Sequence, residues 1–369
     1  MPRSSKPTGC KTCRLCGRAS RLVSTALEIC GECIRSRPEA ALPIAKSVHA
    51  QTRSAFNLPV SPPDAPNGVK CPLCSRECVI GAGGRGFCGL RTADGDRLVH
   101  LGGTPRHGIL DWYRDPLPTN CVADWVCDGS RQFGFHNLAV FYSSCTFNCL
   151  FCQNWHFRRT SPGRTPGPSA EELAGAANPW TFCACFFGGD PASQMLHALT
   201  AARHLANSGV VVCWETAGTS QPKLLDYAVQ LSLDTGGCVK FDLKALDNNL
   251  HTALTGASNQ RTLENFARAA RRSAERPTPP LVVASSLLVP GYVDAGEVER
   301  IARFIAGINP NIPYSLLAFA PQFYMADLPR TSRAHAEEAQ AAARAAGLTN
   351  VRIGNRHLLS AEPSDRQEV

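Results

Sequence analysis

The chain has 369 residues, 44% of them hydrophobic, enough for one large domain with small appendages and a sizeable core. No apolar run approaches the roughly 20 residues of a membrane helix, and the polar start Met1–Lys6 leads into no apolar segment, which speaks against a secretory signal and for a cytoplasmic protein. A net charge of +8 permits an acidic or nucleic-acid partner without selecting one, and 18 cysteines without an export signal point to metal ligation over disulfides.

Residues 1–36 read as a first cysteine-rich module. Cys13-x2-Cys16 and Cys30-x2-Cys33 are two knuckles thirteen residues apart, close to the spacing of a zinc ribbon in which four thiolates surround one tetrahedral ion. A segment this small needs a metal to be stable. Zinc is the first reading; an iron–sulfur cluster and free thiols are the alternatives, and Cys10 is surplus. Residues 37–69 carry Pro38, Pro43, Pro59, Pro62, Pro63 and Pro66 with little apolar periodicity, and read as a Pro-rich linker.

Residues 70–137 hold a second module and its connection. Cys71, Cys74, Cys78 and Cys88 fall within eighteen residues, and Gly81, Gly83, Gly84 and Gly86 allow a tight wrap between them. They predict one further metal site, zinc or an auxiliary four-iron cluster, because both accept four thiolates. Asp94-Gly95 predicts a hairpin turn. Cys121 and Cys127 match no ligand spacing and read as buried free thiols.

Over residues 138–358 apolar runs alternate with helical stretches. Strands are predicted over 138–142, 181–187, 210–214, 239–243, 281–289 and 314–319. Helices are predicted near 170–177, 192–207, 221–232, 261–275, 294–307 and 331–346, with Ser169 and Glu172 as a capping box for the first. The alternation gives an α/β fold with a parallel sheet. Its extent predicts a partial (βα)6 TIM-type barrel, whose chemistry sits on the loops after the strands. Cys183, Cys185, Cys213 and Cys238 lie in or beside strands and read as core packing. Residues 359–369 read as a polar tail.

The first of these strands runs straight into Cys145-x3-Cys149-x2-Cys152. Three thiolates on one short loop can hold three irons of a four-iron cluster, whereas a closed cluster uses four cysteines. The remaining iron is left for a small chelating molecule. After the second strand, Gly188-Gly189-Asp190-Pro191 lets the backbone approach a ligand, with carbonyls and Asp190 available to an ammonium group. Glu215-Thr216 follow the third strand and Asp242-Leu243-Lys244 end the fourth, a set suited to a zwitterionic, ribose-bearing ligand.

These motifs resemble those of the radical S-adenosylmethionine (SAM) superfamily, and within it pyruvate formate-lyase activating enzyme-like proteins and the radical SAM proteins of the AmmeMemoRadiSam system. The resemblance rests on the cysteine loop with Phe151 before its last cysteine and Gln153-Asn154-Trp155 after it, on Gly-Gly-Asp-Pro where the family has Gly-Gly-Glu-Pro, on Asp242-Leu243-Lys244, on the upstream cysteine module and on Gly354-Asn355. It implies a [4Fe-4S] cluster on Cys145, Cys149 and Cys152, with SAM on the open iron. It implies Gly188, Gly189 and Asp190 at the SAM amino group, Phe151 beside the adenine or the cluster, and Lys244 in contact with SAM. Glu215, Thr216 and Asp242 would surround a monovalent cation near the SAM carboxylate.

The implied activity is that of an oxidoreductase that cleaves SAM to a 5′-deoxyadenosyl radical, fed by a low-potential donor such as flavodoxin or ferredoxin, and acting on a protein or peptide. A small-molecule- or tRNA-modifying radical SAM enzyme, and a non-catalytic iron–sulfur/zinc scaffold or nucleic-acid-binding protein, are the other readings. No side chain is assigned to the hydrogen transfer itself. Ser285 stands where the activating enzymes have an arginine, and Ser315 where they often have a histidine; both departures bear on the substrate.

Overall fold

The computed structural model describes residues 9–160 and 166–361. The first eight residues of the N-terminal module and the tail beyond residue 361 lie outside them. No helix of the described residues is long and apolar enough to cross a membrane.

The N-terminal ribbon pairs β1 (Lys11–Thr12) with β2 (Ala19–Ser20) and continues into α1 (Gly31–Ser36). Val23, Leu27, Ile29 and Ile34 are buried in the same hydrophobic core as the barrel residues. The Tyr292 hydroxyl donates to the Ile29 carbonyl and accepts from the Ser24 N–H, both at 3.0 Å. Arg35 donates to the Tyr292 carbonyl at 2.7 Å. The ribbon is therefore seated on the barrel.

The stretch expected to be a linker over 37–69 contains α2 (Pro38–Ser54), a helix of 17 residues. Its buried face is Ala41, Ala45, His49, Thr52 and Arg53. Alanines and polar residues at helical spacing give no apolar period to read, and Pro38 occupies the first turn, where its missing N–H is not needed. The helix packs on the barrel, where His49 Nε2 bonds the Ala253 carbonyl at 3.0 Å.

The second module pairs β3 (Val69–Lys70) with β4 (Val79–Ile80), and β5 (Arg91–Asp94) with β6 (Arg97–His100) around the expected turn at Gly95. Cys71, Cys78, Ile80, Phe87 and Ala93 form its own small core. The Phe87 ring lies between the guanidinium groups of Arg53 and Arg76, at 3.4 and 3.9 Å from its centroid.

One sheet holds β7 (Leu110–Pro116), β8 (His136–Tyr142), β9 (Thr181–Gly188), β10 (Val211–Thr216), β11 (Val239–Asp242), β12 (Val282–Leu288), β13 (Tyr314–Ala318) and β14 (Val351–Gly354), side by side in chain order. Strands β8 to β14 are parallel, and β7 runs antiparallel to β8. Between them lie α3 (Ala170–Gly175), α4 (Met195–Asn207), α5 (Pro222–Thr235), α6 (Asn248–Thr255), α7 (Gln260–Ala270), α8 (Ala295–Ala306) and α9 (Arg333–Ala345). The expected strand–helix units are present, and the Ser169–Glu172 capping box forms.

Strands β7 and β14 and helix α6 escape the sequence reading. Strand β7 is an edge strand with Asp111, Arg114 and Asp115 on it, the charged composition that keeps edges from pairing further. Strand β14 is four residues long.

Side chains alternate across the sheet. Phe186 stacks on Trp214 at 4.7 Å, and Trp214 Nε1 donates to the Ala228 carbonyl of α5 at 3.0 Å, so these positions face the helices. Phe241 meets Phe266 of α7 at 5.4 Å on the same side. The alternate positions, Cys185, Cys213, Glu215, Lys240 and Asp242, face the barrel interior.

Candidate functional site

The cysteine loop follows β8 and is held from outside the barrel. Asn148 Nδ2 reaches His49 Nδ1 at 3.0 Å and donates to Thr52 Oγ1 at 2.7 Å, both on α2. Arg76, from the second cysteine module, donates to the Thr146 carbonyl at 2.7 Å and to the Gly256 carbonyl at 2.8 Å. Backbone bonds from Asn148 and Leu150 to the Thr255 and Leu254 carbonyls, at 2.8 and 3.0 Å, tie the loop to the end of α6. The loop is thus clamped by α2, α6 and a neighbouring module.

Cys145, Cys149 and Cys152 line one open cavity of about 930 Å³ at the strand ends. Phe151, Gly188, Gly189 and Asp190 line the same cavity. So do Glu215, Thr216, Asp242 and Lys244, so that every site residue expected on the barrel comes together. No fourth cysteine lines this cavity among the described residues.

The two glycines are needed where they stand. Gly188 has φ +94°, and a side chain on Gly189 would fall 2.1 Å from the Ser144 carbonyl. This close approach brings the turn after β9 against the cysteine loop.

Asp190 is buried and fully engaged. Its carboxylate accepts from the Ala192 N–H at 2.7 Å, the Thr216 hydroxyl at 2.9 Å and the Ala217 N–H at 2.9 Å. Burial pushes its carboxyl up, opposed by these donors. The side chain expected at an ammonium group instead ties the β9 turn to the β10 turn.

Asp242 and Lys244 form an ion pair. Burial alone would lower the Lys244 ammonium; Asp242 and the Cys149 sulfur outweigh it and hold it above its usual range. Lys244 Nζ lies 5.6 Å from the Phe151 ring centroid. Burial pushes the Cys149 thiol up to about 11, against the pull of Lys244. Glu215 is 3.6 Å from Lys240 Nζ.

Two buried polar atoms have no partner here, Asp242 Oδ1 and Arg158 Nη1. They offer an acceptor and a donor to a ligand, and three thiols without a fourth are the donor set of an open cluster. The residues present therefore fit a [4Fe-4S] cluster with SAM. Arg158 was not legible from sequence: it follows the cysteine loop in a short 3-10 turn, Trp155–Arg159, whose register brings it back onto the cavity.

The N-terminal cysteines converge separately. The sulfurs of Cys13, Cys16, Cys30 and Cys33 all lie within 4.8 Å of one another, a group that fits one metal ion, while Cys10 is exposed outside it. Cys71, Cys74, Cys78 and Cys88 share the second module, and no three of them meet that spacing.

Residues 139–305 match the Radical SAM superfamily model. A stretch of 134 residues is 31% identical to the isethionate sulfite-lyase activating enzyme of Oleidesulfovibrio alaskensis, covering 36% of this chain and 40% of that one. Over 190 residues the chain is 25% identical to the pyruvate formate-lyase-activating enzyme of Staphylococcus aureus, covering 49% of this chain and 73% of that one. Streptococcus suis SuiB bound to S-adenosylmethionine is 14% identical with a TM-score of 0.47, over 63% of this chain and 54% of that one. The chain spans less than half the length of the curated relatives that it matches at 30% identity or more. What these comparisons share is the barrel, whose residues 139–305 are similar to the radical SAM superfamily.

Proposed function

We propose that this chain is a radical SAM enzyme acting on a protein or peptide, in the manner of an activating enzyme. The observation that carries this is the single cavity in which three thiols meet the Gly188–Asp190 turn, Glu215, Thr216, Asp242 and Lys244. Bound there, a [4Fe-4S] cluster and SAM supply reductive cleavage to a 5′-deoxyadenosyl radical that takes a hydrogen atom from substrate. Cys145, Cys149 and Cys152 are the cluster ligands. The Gly188 and Gly189 carbonyls receive the SAM ammonium group, and Lys244 and Asp242 orient the rest of the molecule. Phe151 walls the site beside Lys244.

A second cavity adjoins the first through Gln153, Glu215 and Leu317 and extends to Asn120, Arg352 and His357. It offers the substrate a way in between the β7–β8 connection and β14. The departures at Ser285 and Ser315 leave the cluster residues intact and set the substrate apart from the glycyl radical enzymes.

The N-terminal module forms a zinc ribbon on Cys13, Cys16, Cys30 and Cys33. Cys71, Cys74, Cys78 and Cys88 hold a second metal site, zinc or an auxiliary iron–sulfur cluster, since both accept four thiolates. The barrel takes residues 138–358, and flavodoxin or ferredoxin is the electron donor class.

The test is anaerobic reconstitution with iron and sulfide, followed by dithionite and SAM, with 5′-deoxyadenosine measured. Product is expected from the wild type and none from Cys145→Ala/Cys149→Ala/Cys152→Ala. No product from a sample with an intact cluster would overturn the enzyme reading. Stimulation by RNA or small molecules in place of protein would overturn the substrate class.

A further inference from the structure

Six cysteines outside the cluster loop and the two N-terminal modules meet in one cavity inside the barrel: Cys121, Cys127, Cys183, Cys185, Cys213 and Cys238. Cys183 and Cys185 lie on β9, Cys213 lies on β10, and Cys238 immediately precedes β11. Cys121 and Cys127 come from the β7–β8 connection across the cavity. Cys185 and Cys213 are direct neighbours in the parallel register. All six are free thiols.

Lys240 stands among them, 1% exposed. Its Nζ lies 3.0 Å from Cys185 Sγ, 3.1 Å from Cys121 Sγ and 3.6 Å from Glu215. A buried ammonium group costs several kcal/mol unless anions compensate it. Here most of its close partners are sulfur, so the cavity is arranged to hold negative charge on sulfur.

The hydrogen bonds sort four of the six. Cys121 and Cys185 accept from Lys240 and Cys213 accepts from the Cys238 N–H at 3.4 Å, while Cys127 lines the same cavity from the β7–β8 connection. Cys183 instead donates, to Asn137 Oδ1 at 3.5 Å, and so keeps its proton. N–H donors to sulfur are how proteins stabilise and tune cluster thiolates.

The spacing speaks for a cluster over a single ion. A tetrahedral zinc with bonds of about 2.3 Å needs its sulfurs within about 4 Å of one another. Among the described residues no three of these sulfurs fall within 4.8 Å, a limit that the N-terminal group meets. We propose that Cys121, Cys127, Cys185 and Cys213 hold an iron–sulfur cluster inside the barrel, with the Lys240 ammonium group against its sulfurs. Four thiolates close the site, so it carries electrons and takes no substrate. Cys121 also lines the cavity that contains Gln153 and Glu215, which places this cluster just below the proposed SAM site.

The test compares full-length chains reconstituted anaerobically. Cys121→Ser/Cys127→Ser, both off the sheet, is expected to lose about four irons and four sulfides per chain. The SAM-induced change in the electron paramagnetic resonance signal of the Cys145/Cys149/Cys152 cluster should persist. Cys183→Ser is expected to keep wild-type iron. Unchanged iron in the folded double variant would overturn the site, and equal loss in Cys183→Ser would overturn the ligand set. Should the double variant not fold, Lys240→Gln decides: one cluster's midpoint potential should fall while the others stay, and no shift in any cluster would overturn the proposal. The outcome does not depend on whether SAM is cleaved.

Discussion

The Asn148 side chain, inside the cysteine loop, donates a 2.7 Å hydrogen bond to the Thr52 hydroxyl of α2. The loop that presents the three thiols is therefore positioned by a helix nearly a hundred residues upstream. Thr52→Val keeps the shape and removes the acceptor, leaving a buried amide hydrogen unpaired. The expected cost is about 1–3 kcal/mol, read by denaturant unfolding, together with lower iron retention after reconstitution. Wild-type values for both would mean that α2 does not hold the loop.

Asp190 invites the opposite substitution, toward the glutamate of the related Gly-Gly-Glu-Pro motif. Asp190 is 3% exposed and its short carboxylate already reaches three donors on two turns. Asp190→Glu adds a methylene to a filled space, an overpacking cost of about 1–3 kcal/mol. Stability and SAM affinity should both fall, by denaturant unfolding and by calorimetry on reconstituted protein. A gain in either would show that the turn has room for the longer side chain.

Much of the barrel was legible because its strands are apolar runs and its helices have an apolar period, and the cysteine, Gly-Gly-Asp and Asp-Leu-Lys motifs fall at strand ends where the fold brings them together. What was not legible has specific causes. Helix α2 hides behind prolines and a buried face of alanine, histidine, threonine and arginine. Arg76 reaches the cysteine loop only through tertiary packing, and Arg158 reaches the cavity only through the register of its 3-10 turn. Cys121 and Cys127 carry no local ligand spacing, and their four neighbours come from β9, β10 and the residue before β11, so only the barrel brings the six thiols together. The role of Asp190 depended on which donors surround it, which its motif does not state.

Tyr292 links the ribbon to the barrel through both functions of its hydroxyl. Tyr292→Phe leaves the Ile29 carbonyl and the Ser24 N–H without that partner, at an expected cost of about 1–3 kcal/mol. A small metal module folds with its metal, so a loosened ribbon should release its metal faster to a chromophoric chelator. Equal release rates in wild type and variant would mean that the ribbon holds its metal independently of the barrel.

Three buried histidines set an acid limit on stability. Burial lowers His49 and His197 to about 4 and His251 to about 3. In the unfolded chain each takes up a proton below about pH 6.5, whereas the folded chain does so only below about 4 or 3. Between those limits the unfolded state holds more protons, so stability falls as pH falls. With all three contributing, the slope approaches roughly 4 kcal/mol per pH unit. Asp190, raised by burial, works in the opposite direction in the acid part of this range. Unfolding free energies measured from pH 7.5 to 5 should drop steeply below 6.5. His197→Gln, which can still meet the Tyr142 hydroxyl now 2.9 Å from His197 Nδ1, should flatten the slope by about one proton. A flat profile in the wild type would mean that these imidazoles titrate in the folded chain as they do in water.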